Sequence, residues 1–389
     1  MKPEIAAQLD GYQDVRQLAR AAEILGEDFR HEKGAVTAYL ERLHPQRLFL
    51  KVSRIRVETP STKTFRMVSV DGVLPPFQAG QYIALHVEAG GIRTNRPLSI
   101  ASPPNQGGYY DLTVKRVPGG LVSNHLLDNL KAGDCLTSSG PDGCFVYNPV
   151  LHGKRLVFIA GGSGITPFMS MIRETCDRGL DRQITLIYGN RSEDDIIYHD
   201  ELTSLADHQP DFTYVPVIEQ PGPGYTGETG FMTGDLITRA AGGLADAMLY
   251  LCGPSAMYDF CLGELQALQI PPRRFRRELF GPPVNVSQCF GWPADIAEDD
   301  SFAVSVVDGP TIDARAGTPL LTSFEQAGLA PPSQCRSGEC SMCRVRIMKG
   351  NVFQPSGVPL RQSDQDQGYV HCCVSYPLGN LEVLLEARG

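Results

Sequence analysis

Four cysteines near the carboxyl end constrain this chain more than any other feature. Cys335, Cys340 and Cys343 stand with four and then two residues between them, and 29 residues separate Cys343 from Cys373. Three thiolates on one short loop and a fourth on a distant turn make a cage for two irons bridged by sulfide, a 2Fe–2S cluster. Ser337, Gly338 and Ser341 between them are small, so backbone N–H groups can approach the sulfides. Other uses of these cysteines fit less well. A zinc site asks for a second CxxC or a His pair at short spacing, and neither is present. A disulfide framework suits secreted chains, but no secretory signal is visible, so a reducing cytoplasmic setting is expected.

At 389 residues the chain exceeds one ordinary core, which implies two to four domains. Hydrophobic content of 42% and charged content of 20% are those of a soluble globular protein. No apolar run reaches the length of a membrane span. A net charge of −9 without a basic stripe argues against nucleic-acid binding. No GxSxG, HExxH or Walker pattern points to a hydrolase or a transferase.

Along the chain, residues 1–46 read as a helical extension: Ile5, Leu9, Tyr12, Val15, Leu18, Ala22, Leu25 and Phe29 recur at steps of three or four. Packing on the next domain and docking to a partner are both open for it. Residues 47–152 change to short strands, with candidates at Phe49–Val57, Lys63–Val68, Tyr82–Val87 and Tyr110–Arg116, as in an antiparallel barrel. Residues 153–283 read as α/β, with strands at Leu156–Ala160, Ile184–Gly189, Thr213–Ile218 and Met248–Leu251. Between the first strand and a helix through Arg178 lies Gly161-Gly162-Ser163-Gly164-Ile165-Thr166-Pro167. There Thr166 is expected to cap the helix and Pro167 to fill its first position, making a dinucleotide phosphate site. Residues 284–301 read as a linker. Residues 302–389 offer strands at Phe302–Val307, Arg344–Met348 and Leu381–Leu385, with a helix from Thr318-Pro319 to Gly328.

Three ordered motifs carry a resemblance. Arg96-Pro97-Leu98-Ser99, then Gly119-Gly120-Leu121-Val122-Ser123, then Gly140-Pro141-Asp142-Gly143-Cys144-Phe145 resemble the flavin domain of the ferredoxin–NADP reductase superfamily. Gly162, Gly164, Ile165, Thr166 and Pro167 match that superfamily's GGxGITP turn, and Cys252-Gly253-Pro254 and Glu278-Leu279-Phe280 match later stretches. Residues 302–389 resemble a plant-type ferredoxin domain of β-grasp fold. Its spacing and the following Val374-Ser375-Tyr376-Pro377 select Cys373 over Cys372 as the fourth ligand, leaving Cys372 a buried thiol.

The resemblance implies a parallel-sheet nicotinamide domain between a flavin barrel and a 2Fe–2S domain, in the order of phthalate dioxygenase reductase and hybrid-cluster-protein reductase. It places Arg96 on the flavin pyrophosphate, with Ser99 near the flavin ring and Cys252 beside the nicotinamide. Glu278 is placed near the flavin. Leu98 stands where many relatives carry a stacking tyrosine, so it can pack on the flavin but not stack. Gly119 and Gly120 allow close backbone approach, and Ser123 is expected to open a helix from Asn124 to Leu130 facing the pyrophosphate. The second motif favours FAD over FMN. NADH is preferred to NADPH, because Glu193, Asp194 and Asp195 would repel a 2′-phosphate, although Arg191 could take one and the acids could be only a solvated loop. The implied activity is an NAD(P)H:acceptor oxidoreductase passing single electrons through the cluster to a redox partner protein. The alternatives are a subunit of a larger redox complex without turnover of its own, and a flavin enzyme whose last domain binds no metal. Oligomeric state is not readable.

Overall fold

A computed structural model describes residues 12–25, 45 and 47–385. Tyr12–Leu25 is an α-helix with Val15, Leu18 and Ile24 exposed on it, and it belongs to a separate unit from Arg47–Gly389. The rest of the expected helical extension lies outside the described residues.

The first sheet is antiparallel and six-stranded. Its strands are β1 (Leu48–Thr59), β2 (Thr62–Ser69), β3 (Tyr82–Ala89), β4 (Ile92–Ser99), β5 (Tyr110–Lys115) and β6 (Cys135–Ser138), in the order β4-β3-β6-β1-β2-β5. Leu50, Val52, Phe65, Ile83 and Leu112 point inward and meet Leu126 of the helix Leu121–Asn129. Two strands had no hydrophobic signature. β4 reads Ile-Arg-Thr-Asn-Arg-Pro-Leu-Ser, and Pro97 is tolerated because β4 is an edge strand. β6 has only four residues.

The second sheet is wholly parallel, with strands β7 (Arg155–Gly161), β8 (Gln183–Asn190), β9 (Phe212–Ile218), β10 (Glu228–Thr229), β11 (Met248–Cys252) and β12 (Phe275–Glu278), in the order β10-β9-β8-β7-β11-β12. Every residue of β7 after Arg155 is buried, as a central strand covered on both faces requires. Phe158 and Tyr250 face the helix Ile165–Arg178; Val157, Ile159 and Leu249 face the opposite layer. The order reverses at β7, and the loops following β7 and β11 lie at that switch point, where open α/β sheets bind ligands.

The third sheet is mixed: β13 (Ser301–Val306), β14 (Thr311–Arg315), β15 (Arg344–Lys349), β17 (Tyr369–His371) and β19 (Leu381–Leu384), in the order β14-β13-β19-β15-β17. A side ribbon joins β16 (Val352–Phe353) to β18 (Tyr376–Pro377). The helix Leu320–Gln326 covers this sheet through Leu320, Leu321 and Phe324. The stretch read as a linker is anchored on the ribbon. Trp292 stands edge-on to Phe353 at 5.2 Å and donates its indole N–H to the Ile296 carbonyl at 2.9 Å. Among the described residues no helix is long and apolar enough to cross a membrane.

Candidate functional site

The dinucleotide crevice is built where β7 turns into its helix. Gly162–Gly164 forms a 3₁₀ turn, and the α-helix starts at Ile165. The capping expectation is corrected here. Gly164, not Thr166, is the cap residue; Thr166 lies inside the first turn and donates its hydroxyl to the Ser163 carbonyl at 3.0 Å. Pro167 follows it in the same turn, where no N–H is needed. Beside the turn opens a cavity of about 510 Å³, lined by Gly162, Arg191, Glu219, Phe231, Pro254 and Phe260, among others. Phe231 and Phe260 lie 5.4 Å apart.

Two side chains of this crevice were not legible as site residues. Lys115, at the end of barrel strand β5, lines the cavity with its ammonium 2.7 Å from Asp195. Glu219 follows β9 and lines the same cavity as Arg191. Both become visible only when separate elements meet. Asp195 itself accepts from Thr59 and Ser61, each at 2.6 Å, and these contacts with Lys115 hold its carboxyl below the usual range against the effect of burial. It is therefore an interdomain contact, and the solvated-loop alternative fails for it.

At the end of β11, Cys252 pairs in register with Glu278 of β12. Both are buried, at 0% and 6% exposure. The Tyr258 hydroxyl donates to the Glu278 carbonyl and accepts from the Gly253 N–H at 3.3 Å, which fixes both strand ends. Glu278 Oε2 has no partner among the described residues. Burial, and next the Glu339 carboxylate, push the Glu278 carboxyl well above its ordinary value. Burial, and next Glu278, push the Cys252 thiol up as well. The sign of the pH effect follows. A carboxyl raised in the folded state contributes stability that is complete below the ordinary value of about 4.3 and is lost as pH rises through the folded value. Glu278→Gln should thus raise the melting temperature near pH 8 and leave it unchanged near pH 4. Calorimetry at both pH values checks this, and an equal gain at both would contradict it.

On the barrel, Arg96 and Ser99 lie on β4. Arg96 Nη1 donates to Thr94 Oγ1 at 2.8 Å and to the Asn95 carbonyl at 2.6 Å, and no carboxylate pairs with it among the described residues. Ser99 Oγ is buried without a partner, and Leu98 packs at the edge of the barrel core. Gly119 has φ of +68°, a conformation suited to glycine. The next helix spans Leu121–Asn129 with Gly120 as its cap, so Ser123 sits within the first turn instead of opening the helix. A Cβ on Gly120 would strike Ser123 Oγ, which is also buried and unpartnered. An unneutralised guanidinium, a glycine cradle, a helix N-terminus and two orphaned hydroxyls fit a flavin carrying a pyrophosphate.

The cysteine loop follows the helix Leu320–Gln326. Cys335, Cys343 and Cys373 are buried and Cys340 is partly exposed. Cys335 Sγ accepts from the N–H groups of Ser337 and Cys340, each at 3.4 Å, and Cys340 Sγ accepts from Cys335 N–H at 3.5 Å. Arg336, Gly338 and Ser341 all have positive φ, which turns successive N–H groups inward. A Cβ on Gly338 would come within 2.9 Å of Val374 Cγ2. Hydrogen bonds from Cys340 and then Cys373 pull the Cys335 thiol down and those from Cys372 and then Cys373 pull Cys343 down, while Cys340 and Cys373 are pushed up chiefly by their hydrogen bonds to Cys335, so the sulfurs lie in mutual contact. No three His, Cys, Asp or Glu side chains converge on a point among the described residues. A two-iron cluster asks for four thiolates, and the loop carrying Cys335, Cys340 and Cys343 meets the turn carrying Cys373 where Gly338 lies against Val374.

Comparison with known proteins matches three stretches of the chain. An oxidoreductase FAD-binding domain matches residues 50–147, an oxidoreductase NAD-binding domain 158–262 and a 2Fe-2S iron-sulfur cluster binding domain 306–378. The chain is 29% identical over 349 residues to the glycine betaine monooxygenase reductase subunit of Pseudomonas aeruginosa, covering 87% of this chain and 95% of that protein. It is 29% identical over 340 residues to the NADH oxidoreductase HCR of Escherichia coli, covering 85% and 96%. Its fold is similar to that of phthalate dioxygenase reductase, with a TM-score of 0.65 at 24% identity over 88% of this chain and 98% of that one. The chain belongs to the ferredoxin–NADP reductase superfamily, as an NAD(P)H-dependent oxidoreductase that uses FAD and a C-terminal 2Fe–2S ferredoxin domain.

Proposed function

We propose that this protein is a cytoplasmic reductase component that draws electrons from NADH and delivers them singly to a partner oxygenase. The observation that carries the reading is the seam between barrel and cysteine loop: Asn95 Nδ2 donates to the Ser333 carbonyl at 2.6 Å, and Gln334 Nε2 to Asp142 Oδ2 at 2.9 Å. Flavin strand and cluster loop are in direct contact, as transfer between them requires. The glycine betaine monooxygenase reductase subunit supports an oxygenase as the partner.

Bound FAD supplies the conversion between a two-electron donor and a one-electron carrier, and a 2Fe–2S cluster supplies the one-electron exit. The chain supplies binding and orientation. Arg96, Gly119, Gly120, Leu121, Val122 and Ser123 hold the FAD pyrophosphate, while Pro97, Leu98 and Ser99 present an apolar surface and one hydroxyl to the flavin. Gly162, Gly164, Ile165, Thr166, Pro167 and Lys115 take the dinucleotide phosphates. Cys252, Gly253 and Pro254 form the wall at the nicotinamide, and Glu278 stands behind them with its carboxyl raised by burial. Cys335, Cys340, Cys343 and Cys373 ligate the irons, and Cys340 opens on a cleft of about 230 Å³ that includes Met342 and Arg361. Partner contact belongs on that side.

Glu219 supports NADH over NADPH: a carboxylate accepts from a ribose 2′-hydroxyl and repels a 2′-phosphate. Glu219→Gln should raise the NADPH-to-NADH ratio of kcat/KM at least ~10-fold, about 1.4 kcal/mol. An unchanged ratio would remove Glu219 from cofactor choice. The function itself is tested by stoichiometry with cytochrome c. Two cytochromes reduced per NADH are expected; a protein that serves only two-electron acceptors would refute the reading.

A further inference from the structure

The strand that carries Arg96 also touches the cysteine loop through a partly buried polar ring centred on Thr94. Thr94 Oγ1 accepts from Arg96 Nη1 at 2.8 Å and from Arg336 Nη1 at 3.1 Å, and donates to Glu325 Oε1 at 3.0 Å. Arg336 grips Glu325 through two parallel bonds of 2.6 and 2.8 Å. The side chains of that ion pair are 7% and 6% exposed. Arg336 stands between Cys335 and Cys340 with φ of +57°, a left-handed conformation held in place by this grip. Glu325 belongs to the helix Leu320–Gln326. The ring thus joins the flavin barrel to two elements of the C-terminal domain.

Its charges do not cancel. Two guanidinium groups face one carboxylate, and Glu325 is already taken by Arg336. Burial, and next the Arg336 cation, push Arg96 down to about 10. An anion placed on Arg96 relieves both effects, and the planar fork of Arg96 suits a phosphate.

We propose that Thr94, Glu325 and Arg336 form an interdomain clasp that makes the C-terminal domain part of the flavin phosphate site, so that FAD binding and docking of the cysteine loop strengthen each other. This rests on Arg96 as the phosphate ligand. The two effects are one coupling free energy, so each must appear when the other is varied. Thr94 is a positioning residue: it carries no charge and links the two arginines.

Hydrogen exchange of the full chain, with cluster content matched by electron paramagnetic resonance, tests the clasp. In the wild type, adding FAD to FAD-stripped protein should slow exchange at residues 333–340 at least threefold. In Thr94→Val that protection should vanish and the FAD dissociation constant should rise at least fivefold. Exchange at 333–340 that ignores FAD in the wild type would overturn the clasp, whether or not the variant folds; so would Thr94→Val binding FAD as tightly as the wild type. Arg96→Ala separates the two ideas. If it binds FAD like the wild type, the phosphate reading fails and takes the clasp with it. If it loses FAD while wild-type exchange ignores FAD, only the clasp fails.

Discussion

Cys340→Ser should abolish reduction of cytochrome c, by at least ~100-fold, while NADH still bleaches the flavin absorbance. The expectation follows from the modular layout. Cys340 lies on the cysteine loop, and no residue of that loop lines the dinucleotide crevice, which is built from the ends of β5, β7, β8, β9 and β11 and the segments that follow them. A serine oxygen is a harder, less readily ionised donor than a thiolate, so it disfavours a cluster built on four sulfurs. Cys340 is also the one partly exposed member of the set, hence the sulfur nearest an incoming partner. The two half-reactions can be read separately: rapid mixing with NADH alone reports the flavin, and steady-state cytochrome reduction reports the exit. If flavin bleaching disappears together with cytochrome reduction, the modules are not separable in the way described.

Gly164→Ala should weaken NADH binding at least ~10-fold and cost about 2 kcal/mol or more of stability, as insertion into a filled site does. Its φ is ordinary, so strain is not the reason. The reason is contact. A Cβ at Gly164 would press on the Cys252 carbonyl, 2.5 Å from its carbon and 2.7 Å from Gly253 Cα. These neighbours are backbone at the end of β11, which β7 and β12 hold from either side. They cannot swing away like a flexible side chain. Accommodation must move the start of the helix Ile165–Arg178 away from β11, and that opens the crevice where the dinucleotide phosphates lie. Titration of NADH against the variant, followed by flavin fluorescence, measures the effect. An affinity equal to that of the wild type would show that the turn does not shape the crevice.

What could be read from the sequence was local. Cys335, Cys340 and Cys343 declare themselves by spacing and Cys373 through the resemblance, the glycine turn after β7 by composition, and β7, β8, β9 and β11 by apolar runs, which β10 and the Phe-Arg-Arg-Glu of β12 lack. β4 escaped because its Thr94 and Asn95 face polar neighbours in the C-terminal domain and Arg96 bonds back to both, which removes the alternation that marks a half-buried strand. The helix after Gly120 starts earlier than Ser123, because glycine itself serves as the cap. Lys115, Glu219 and the Thr94 ring were out of reach for a different reason. Each acquires its meaning from residues tens to hundreds of positions away, and one sequence carries no signal of that pairing. Trp292 is similar: in a stretch rich in glycine and proline it reads as linker, yet it packs on Phe353 and Tyr376.

The most direct test of the account is an electron paramagnetic resonance spectrum of the iron-loaded, FAD-loaded protein reduced by NADH alone, without dithionite. The account predicts a rhombic signal from a reduced 2Fe–2S cluster that grows with added NADH and is absent from Cys340→Ser. A wild-type protein whose flavin is bleached by NADH but whose spectrum stays silent would contradict it.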